Sequence, residues 1–481
     1  MYNNLILVYP PSLTTDYAGD VSLALLYLAG AARDSGVCDH ISIFDFNVPI
    51  GVGKTIENLI DTIDSLSEGI TVVGINCLFS ALFPSVREIS TKIKEKFPGV
   101  KIVVGGMHPT LFAKEIINNC PDIDAVAIGE SDVDFPKLLR HFYEKESIED
   151  LEGFCLCVDG KTITKPKTRY IHDLDALPRP GYEFYNFEDY AIGATLWKIP
   201  DGITVSPVRL PLLTSRSCPN RCNFCSMRLV MGDKFRARSA ENAFEEIKYL
   251  YDSYGVNHFQ IMDDNLTINR ERIIGICEMI VESGMKVYFD APNGLFLKTL
   301  DEELLHLMRR AGFMFANLAV ESGSDYIRNK IMVKNLSREQ VIDAFKMCRA
   351  AGIKTQALFI IGMPEDTEET LKETAELIQK IDADAVSVFT ATPFPGTRLF
   401  EQCVRDKLLI GSFGADELWT GEEDREHYKY DDFGKIGYNL YLNLGQHFFI
   451  KPYNLSIEKL SKIAYEIKQI ASEKTKEGIG Q

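Results

Sequence analysis

Short apolar segments alternate with amphipathic segments along residues 205–390. The apolar runs LPLLTS, HFQIM, KVYFDA, FANLAV, KTQALFII and AVSVF have the length of buried strands. Five helical stretches lie between these strands, at 240–254, 270–284, 301–311, 337–352 and 367–381. Several of them end in a glycine-containing turn, which is typical of a helix C-cap. Strands that alternate with helices are typical of a parallel α/β architecture. The pattern predicts six βα units, with functional residues just after the strands.

The first 145 residues show a second, separate alternation of this kind. Apolar runs occur at NLILVYP, HISIFDF, TVVGINC, VKIVVGG and DAVAIGE, with helical stretches between them. This arrangement predicts a doubly wound, Rossmann-like parallel sheet, which binds ligands at the carboxyl ends of its strands. The loops expected at those ends are 76–81, 105–110 and 129–132.

The rest of the chain lacks this alternation. Residues 146–200 contain a DGK turn and a proline-rich segment, and they are predicted to link the two domains, 1–145 and 201–408. Residues 409–481 combine an acidic, aromatic stretch with a helical pattern at 456–475. We predict a small, mostly helical C-terminal region that either contacts a substrate or packs over the second domain.

Composition and charge narrow the possible functions. The 481-residue chain is 46% hydrophobic, with a net charge of −17 and a pI near 5.1. Such an acidic chain repels a phosphate backbone, so nucleic acid is not an expected partner. No apolar run reaches the roughly 18 residues of a membrane span, and no secretory signal is recognisable. We expect a cytoplasmic enzyme whose cysteines are thiols and not disulfides.

Three cysteines stand close together after the first predicted strand of the second domain. Cys218, Cys222 and Cys225 have the spacing C-x3-C-x2-C, and the next cysteine is Cys277. A structural zinc site needs four ligands, and ferredoxin clusters need four cysteines. Zinc with a distant fourth ligand and a chance grouping of buried thiols stay open as alternatives. Three thiolates on a four-iron cluster would leave one iron open to bind a substrate.

The segment CPNRCNFC resembles the signature of the radical S-adenosylmethionine (SAM) enzymes. The resemblance implies a [4Fe-4S] cluster on the three cysteines, SAM on the open iron, and a partial (β/α)6 barrel. It further implies that an electron, from a donor such as flavodoxin or ferredoxin, cleaves SAM to a 5′-deoxyadenosyl radical. Phe224 stands where that family has an aromatic residue close to the adenine.

Residues after the later strands match further positions of that family. In chain order they are Asp263, Asp264, Asn293, Glu321, Ser322 and Pro395. By this resemblance the acidic pair would hold the ammonium group of SAM, and the glutamate and serine of AVESGSD would hydrogen-bond its ribose. The proline of TPFPGT would lie on the adenine side. Each position also has a plain alternative, as a helix cap, a solvated loop charge or a turn.

The N-terminal sequence resembles the cobalamin-binding domain that precedes the barrel in one subclass of these enzymes. The segments GDVSLALLYLAGAARDSG, VVGGMHPT and AIGESD follow that layout. The candidate cobalamin contacts are Leu78, Phe79, Gly105, Gly106, Gly129 and Glu130. The glycines would let backbone approach the ligand closely. The cobalt-ligating motif D-x-H-x-x-G is missing from the sequence, so Leu78 and Phe79 are expected to shield the lower face of cobalt.

Together these features predict a cobalamin-dependent radical SAM methyltransferase. In such an enzyme the 5′-deoxyadenosyl radical activates an unactivated carbon of a small biosynthetic metabolite, and methylcobalamin supplies the methyl group. The alternatives are a cyclase or ring-contracting enzyme with the same cofactors, and a non-catalytic cobalamin sensor. Cys38, Cys77 and Cys120 are spaced somewhat like the second cluster site of related methylthiotransferases, but buried structural thiols are the simpler interpretation. No catalytic acid or base is assigned.

Overall fold

The computed structural model describes residues 2–11, 21–48, 54–66, 68–78, 82–158, 160–190, 204–410 and 448–479. These residues form two compact units, one built chiefly from residues 1–193 and the other chiefly from later residues. Both units have an α/β architecture, as predicted. No helix in the described ranges has both the length and the apolar character needed to cross a membrane.

The N-terminal unit is built on a seven-stranded sheet. Its strands are β1 (Tyr2–Tyr9), β2 (His40–Asp45), β3 (Gly69–Asn76), β4 (Lys101–Gly105), β5 (Ala125–Ala127), β6 (Phe154–Val158) and β7 (Lys161–Lys165). Their order is β2-β1-β3-β4-β5-β6-β7, and the first five strands are parallel. The order reverses between β1 and β3, which creates the crevice where doubly wound sheets bind ligands. The predicted Rossmann-like sheet is confirmed.

Helices cover this sheet because its central strands are apolar on both faces. The helices are α1 (Leu23–Ser35), α2 (Ile56–Ser65), α3 (Phe83–Lys96), α4 (Met107–Leu111), α5 (Ala113–Asn119) and α6 (Phe135–Glu144). Leu5, Ile6, Leu7 and Val8 of β1 have no exposed surface. A strand that is buried on both faces has a continuous apolar sequence, and this pattern predicted β1.

Part of the predicted linker, residues 146–200, belongs to the N-terminal sheet. Strands β6 and β7 form an antiparallel hairpin, and β6 pairs with the edge of β5. Further along, a Cβ added at Gly181 would lie 2.9 Å from the Cβ of Ala29 in α1. The DGK turn of this hairpin was recognised in the sequence, but its residues were assigned to a linker, because a hairpin carries no helix–strand alternation. The described part of the linker is packed structure.

The second unit contains a six-stranded parallel sheet in the order β15-β14-β13-β12-β11-β8. These strands are β8 (Arg209–Leu212), β11 (His258–Ile261), β12 (Tyr288–Ala291), β13 (Phe313–Glu321), β14 (Lys354–Ile361) and β15 (Ala385–Thr390). A short antiparallel pair lies between the first two of them in the chain, β9 (Ser215–Arg216) and β10 (Arg236–Ala237). All six predicted strands are present, and each pairs in the expected parallel sense.

Six helices of this unit begin and end close to their predicted limits, and two short ones, Met227–Met231 and Arg398–Arg405, were not predicted. In chain order the helices are α7 (Met227–Met231), α8 (Ala240–Tyr254), α9 (Arg270–Ser283), α10 (Glu302–Arg310), α11 (Arg338–Ala351), α12 (Glu368–Lys380), α13 (Arg398–Arg405) and α14 (Ile457–Ile479). Side-chain N-caps account for six of these starts, at Ser239, Asn269, Asp301, Ser337, Thr367 and Thr397. Left-handed glycines at 255, 284 and 352 end three of them.

Helix α14 covers the outer edge of the sheet. The backbone N–H of Val386 in β15 donates a 3.0 Å hydrogen bond to Oγ1 of Thr475. A side chain at Gly478 would collide with the carbonyl oxygen of Asp384 just before that strand. The helix therefore satisfies an edge that would otherwise expose unpaired backbone groups. The aromatic stretch predicted to cap the barrel falls mostly within residues 411–447, outside the described residues.

Candidate functional site

The cysteine loop leaves the carboxyl end of the barrel and is anchored at both flanks. Its three cysteines are half-buried. The amide of Asn265 donates a 3.0 Å hydrogen bond to Sγ of Cys218. The backbone of Asn223 accepts from the N–H of Leu399 at 3.0 Å and donates to the carbonyl of Met332 at 3.3 Å. The loop is thus tied to two neighbouring segments of the same unit.

Burial controls the charge of the three thiols. It raises the pKa of Cys218 and Cys225, and it raises the pKa of Cys222 to about 12. The ammonium of Lys334 opposes this at Cys218 and Cys222, while the charge of Cys218 adds to the rise at both Cys222 and Cys225. The thiols therefore lie within electrostatic reach of one another. Metal binding would deprotonate them, as thiolate ligation requires.

The donor set fits a cluster better than a single ion. Among the described residues, no three His, Cys, Asp or Glu side chains converge closely enough to hold one metal ion. An iron–sulfur cluster spreads its thiolates over different irons, so their sulfur atoms need not meet at one point. Three soft thiols, an amide donor to one sulfur and a nearby ammonium fit a [4Fe-4S] cluster with one iron left for SAM.

The two acidic residues after β11 have different roles. Asp263 is 1% exposed, and its carboxylate accepts from Thr214 N and Oγ1 and from Ser215 Oγ, each at 2.6 Å. The guanidinium of Arg272 lies 3.5 Å away. A carboxylate with these buried partners is committed to the fold, which argues against the prediction that Asp263 holds SAM.

Asp264 is the better candidate for the ammonium of SAM. It is half-buried and lies within electrostatic reach of Cys218 and Cys225. Burial raises the pKa of Asp264 to about 6, and the neighbouring charge of Asp263 adds to this, whereas the N–H of Ser217 opposes it. A bound ammonium would stabilise the carboxylate that burial disfavours.

Glu321 and Lys334 form an ion pair beside the cysteines. The Lys334 ammonium donates to Oε1 of Glu321 at 2.6 Å. Both lie on unusual backbone, since Glu321 has φ +69 and the neighbours of Lys334, Val333 and Asn335, have φ +60 and +55. Left-handed backbone at a β-branched valine is strained, and strain of this kind clusters at functional sites.

A buried arginine holds that strained segment in place. The preceding π-helical turn, Tyr326–Ile331, contains Arg328, whose side chain is fully buried. Its Nε donates to the carbonyl of Leu336 at 2.6 Å, and its backbone carbonyl accepts from Lys334 N at 2.9 Å. Nothing in the sequence singled out Lys334, because the contact with Glu321 is made across thirteen residues of irregular chain.

The remaining predicted SAM residues lie at the same end of the barrel. Asn293 is exposed, and its amide donates to the carbonyl of Met262 at 2.8 Å. Phe224 packs against the apolar cluster that includes Met332 and Leu399, and Pro395 is half-buried.

Ser322 has an internal role. It is 2% exposed, and its hydroxyl accepts from Ser324 N at 3.2 Å and lies 3.5 Å from that of Thr374. That hydroxyl is engaged within the loop, so of the predicted ribose pair Glu321 is better placed to bind a ligand.

The predicted cobalamin residues of the N-terminal unit follow β3, β4 and β5. Leu78 is 40% exposed directly after β3, as expected for an apolar side chain that faces a ligand. Gly129 has φ +72, and Glu130 accepts from the N–H of Ile171 at 3.1 Å. Gly105 ends β4, where an added Cβ would lie 3.3 Å from that of Ala127. Phe79 lies outside the described residues.

Gly106 permits a close approach of two backbone segments at the ends of β3 and β4. Its φ is +124, and a side chain there would collide with the carbonyl oxygen of Cys77 at the end of β3. We expect Gly106→Ala to destabilise the unit by about 2–4 kcal/mol through backbone strain and steric overlap, and to lower the bound cobalamin. Urea unfolding and cobalt content measure the two effects.

Gly99→Ala is the matched control for that change. It lies in the turn before β4, and an added Cβ would meet nothing within 4 Å. We expect a change within about 1 kcal/mol and unaltered cobalt content. Equal losses in both variants would contradict the special role of Gly106.

A buried polar network at the end of β2 was missed from the sequence. Asp45 is 1% exposed and accepts from Asn47 N at 2.7 Å, from Tyr190 Oη at 2.7 Å and from Tyr185 Oη at 3.4 Å. Burial raises the pKa of Asp45 to about 6, although these hydrogen bonds oppose the rise. The network joins β2 to residues 185–190, which the sequence assigned to a linker.

This network predicts a pH-dependent stability. The folded-state pKa of Asp45 exceeds its ordinary value, so its contribution is fully present at acidic pH and is lost as the pH rises through about 6. Tyr190→Phe removes a donor to the carboxylate and should raise that pKa further. We expect the variant to lose about 1–2 kcal/mol more stability at pH 8 than at pH 5. Urea unfolding at both pH values, with the exposed Tyr465→Phe as control, measures this difference; equal losses would refute it.

Cys38, Cys77 and Cys120 are the thiols whose spacing is somewhat like that of a second cluster site. Cys77 and Cys120 are buried, and Cys38 is half-buried. Burial raises the pKa of all three thiols. The thiol of Cys38 lies 3.8 Å from the hydroxyl of Tyr143. These are the surroundings of structural thiols, in keeping with the simpler interpretation.

Comparison with known families agrees with this geometry. Residues 212–378 match the radical SAM superfamily, and residues 16–139 match the B12 binding domain. The first range contains the cysteine loop and four whole barrel strands, β11 to β14, and the second contains the ends of β3, β4 and β5. Each match covers the unit in which the sequence placed that cofactor.

Three curated relatives align over most of the chain. An uncharacterized methyltransferase of Pyrococcus horikoshii, PH0819, is 30% identical to this chain, and the alignment covers 84% of each of the two chains. The cytidylyl-2-hydroxyethylphosphonate methyltransferase of Streptomyces wedmorensis is 28% identical over 74% of this chain and 73% of its own. The anaerobic magnesium-protoporphyrin IX monomethyl ester cyclase of Cereibacter sphaeroides is 26% identical over 82% and 62%.

A solved structure shares the fold. The radical SAM methyltransferase TsrM of Kitasatospora setae, determined with tryptophan substrate and a SAM analog, superposes with a TM-score of 0.68. It is 17% identical, and the alignment covers 84% of this chain and 76% of that one. The chain therefore belongs to the cobalamin-binding radical SAM family, and it is a radical SAM enzyme whose cofactors are a [4Fe-4S] cluster, SAM and cobalamin.

Proposed function

We propose that this enzyme transfers a methyl group to an unactivated carbon of a small biosynthetic metabolite. The observation that carries the proposal is the cysteine loop at the barrel mouth, beside the Glu321–Lys334 ion pair, in a chain that also has a cobalamin-type sheet. Two of the three relatives described above are methyltransferases by name. When bound, the cluster and SAM supply hydrogen abstraction, and cobalamin supplies the methyl group.

The chain's own residues bind and orient these groups. Cys218, Cys222 and Cys225 hold the cluster, and Asn265 steadies the first of them through its sulfur. Asp264 accepts the ammonium of SAM, and Glu321, fixed by Lys334, accepts from a ribose hydroxyl. In the N-terminal unit, Gly105 and Gly106 would let cobalamin approach the backbone closely, and the exposed side chain of Leu78 would pack against it.

Product analysis tests the proposal. Enzyme reconstituted anaerobically with iron, sulfide and cobalamin is incubated with SAM, a reductant and an aqueous cell extract as the substrate source. Methyl transfer predicts that 5′-deoxyadenosine and S-adenosylhomocysteine form together, and that deuterated methyl from SAM enters one metabolite. Flavodoxin or ferredoxin should replace the chemical reductant. Formation of neither product above the level in a Cys222→Ala variant would refute the proposal.

A cyclase with the same cofactors is the second candidate. The cyclase of Cereibacter sphaeroides aligns over 82% of this chain, which is the observation that favours it. Ring formation predicts 5′-deoxyadenosine without S-adenosylhomocysteine and no labelled methyl group in the product. The same incubation therefore separates the two candidates.

A further inference from the structure

The barrel strands turn two different faces to their surroundings. On one face of the central strands the rings of Phe259, Phe289 and Phe313 stack at 4.8–5.8 Å, and a register shift after Phe313 brings the later residues of β13 to alternate the other way. The opposite face, which lines the barrel lumen, carries a belt of polar side chains across five neighbouring strands. We call this set the polar belt: Gln260, Asp290, Asn317, Gln356 and Ser387.

Strand register brings the belt residues together. Gln260 is the register partner of Asp290, and Asn317 is the register partner of Gln356. The amide of Gln356 donates to the hydroxyl of Ser387 at 2.6 Å. The belt is therefore two polar groups, Gln260 with Asp290 and Asn317 with Gln356 and Ser387, and Phe315, the register partner of Asp290, lies between them.

A fixed carboxylate anchors one end of the belt. His258 Nε2 lies 2.9 Å from Oδ2 of Asp290, and Arg209 Nη1 lies 3.6 Å from the same atom. His258 is 2% exposed, while the side chains of Asp290 and Arg209 are 14% and 18% exposed. Within the described ranges, the contacts of Asp290 use Oδ2, which leaves Oδ1 for a ligand.

The belt does not resemble a packed barrel core. Parallel barrels fill their interior with bulky branched residues in layers. Here four of the five belt residues are half-buried polar side chains. Among the described residues, Nδ1 of His258 and Oδ1 of Asn317 are buried without a hydrogen-bond partner. A buried polar atom without a partner destabilises the fold, and a polar ligand or an ordered water molecule would satisfy both atoms.

The belt lies below the end of the barrel where the cofactor residues stand. Asn317 precedes Glu321 by four positions on β13, which corresponds to roughly 13 Å along the strand. The carbonyl of Asn317 accepts from Leu295 N at 3.3 Å, in the loop that also carries Asn293. A molecule seated in the belt could therefore extend upward to the reacting end.

We infer that the polar belt binds the hydrogen-bonding end of the substrate. The substrate class is a small metabolite with donors and acceptors at one end, such as amide, hydroxyl or amino-acid groups, and not an apolar chain or macrocycle. The inference rests on the proposed function, because it assumes that the substrate enters this lumen. It adds the recognition chemistry, which neither the cofactors nor the relatives specify.

Binding of an apolar fluorescent probe tests the polarity of the lumen without catalysis. N-phenyl-1-naphthylamine is titrated into the reconstituted holoenzyme and into the double variant Asn317→Leu/Gln356→Leu. We expect the double variant to bind at least ten-fold more tightly, because leucines replace the amides that exclude the probe. Gln469→Leu, on the exposed face of α14, controls for added surface hydrophobicity. If the double variant does not fold, the single variant Gln356→Met replaces it in the probe titration.

Equal binding of the probe by wild type and lumen variants would overturn the inference. Recognition is then tested with the aqueous-methanol and chloroform fractions of one cell extract, with formation of 5′-deoxyadenosine as the readout. Stimulation by the aqueous fraction, weakened at least ten-fold in Gln356→Met at limiting fraction, supports the inference. Stimulation by the chloroform fraction alone refutes it. If neither fraction acts, the proposed function fails while the probe titration still decides the polarity of the lumen.

Discussion

Replacing Cys222 with alanine should reduce cluster iron and SAM cleavage to background. The side chain is one of three thiols in a loop that offers no fourth cysteine, so its loss leaves an iron without a protein ligand. The loop itself should persist, because Asn223 keeps its backbone bonds to Met332 and Leu399. Iron analysis, the visible absorption of the cluster and 5′-deoxyadenosine formation measure the effect in anaerobically reconstituted protein.

Cys277→Ala and Cys120→Ala are the matched controls. Both thiols are buried, one in α9 of the barrel unit and one beyond α5 of the N-terminal unit. Neither change should alter the iron content, and cobalamin binding should survive in all three variants. An equal loss of iron in Cys120→Ala would instead revive a second cluster in the N-terminal unit.

Asp263→Ala should destabilise the barrel unit by about 3–5 kcal/mol, because it leaves the buried guanidinium of Arg272 without its carboxylate. It also removes the acceptor of Thr214 and Ser215, which lie directly before the cysteine loop. We therefore expect poor iron loading as a second consequence. Urea unfolding monitored by circular dichroism, together with iron content after reconstitution, measures both.

Asp264→Ala provides the contrast at the next position. Burial already raises the pKa of Asp264 to about 6, so removing its carboxyl should cost little stability or increase it slightly near neutral pH. Its effect should instead be a weaker affinity for SAM, measured by equilibrium dialysis. If Asp264→Ala unfolds the protein and Asp263→Ala does not, the two roles are reversed.

The fold could be predicted from the sequence wherever local signals agree with burial. Helix α8 starts at the residue after Ser239 and ends before Gly255, since one caps the first turn and the other adopts φ +66. The apolar run of β1 predicted a strand that is covered on both faces. The DGK turn of the hairpin β6–β7 was recognised, but its place at the edge of the N-terminal sheet was not predicted, because the hairpin extends that sheet without a helix of its own.

The sequence predicted only those site residues that directly follow a strand. The sequence located the acidic pair after β11 but could not show that Asp263 turns inward to Thr214 while Asp264 lies near the thiols. Adjacent residues of a loop diverge according to tertiary contacts that no spacing encodes. Lys334 and the polar belt were missed for the same reason, since one depends on an irregular loop and the other on strand register.

The covering of β15 by α14 has a consequence for the order of synthesis. The strand ends at residue 390, yet the hydroxyl that satisfies Val386 belongs to residue 475. When the barrel strands leave the ribosome, the edge of β15 is not yet covered. Some eighty further residues must be synthesised before α14 can cover it, at a translation rate of roughly 5–20 residues per second. During that interval the nascent barrel is a target for chaperones and for strand-to-strand association, and premature termination anywhere in it would release an aggregation-prone chain.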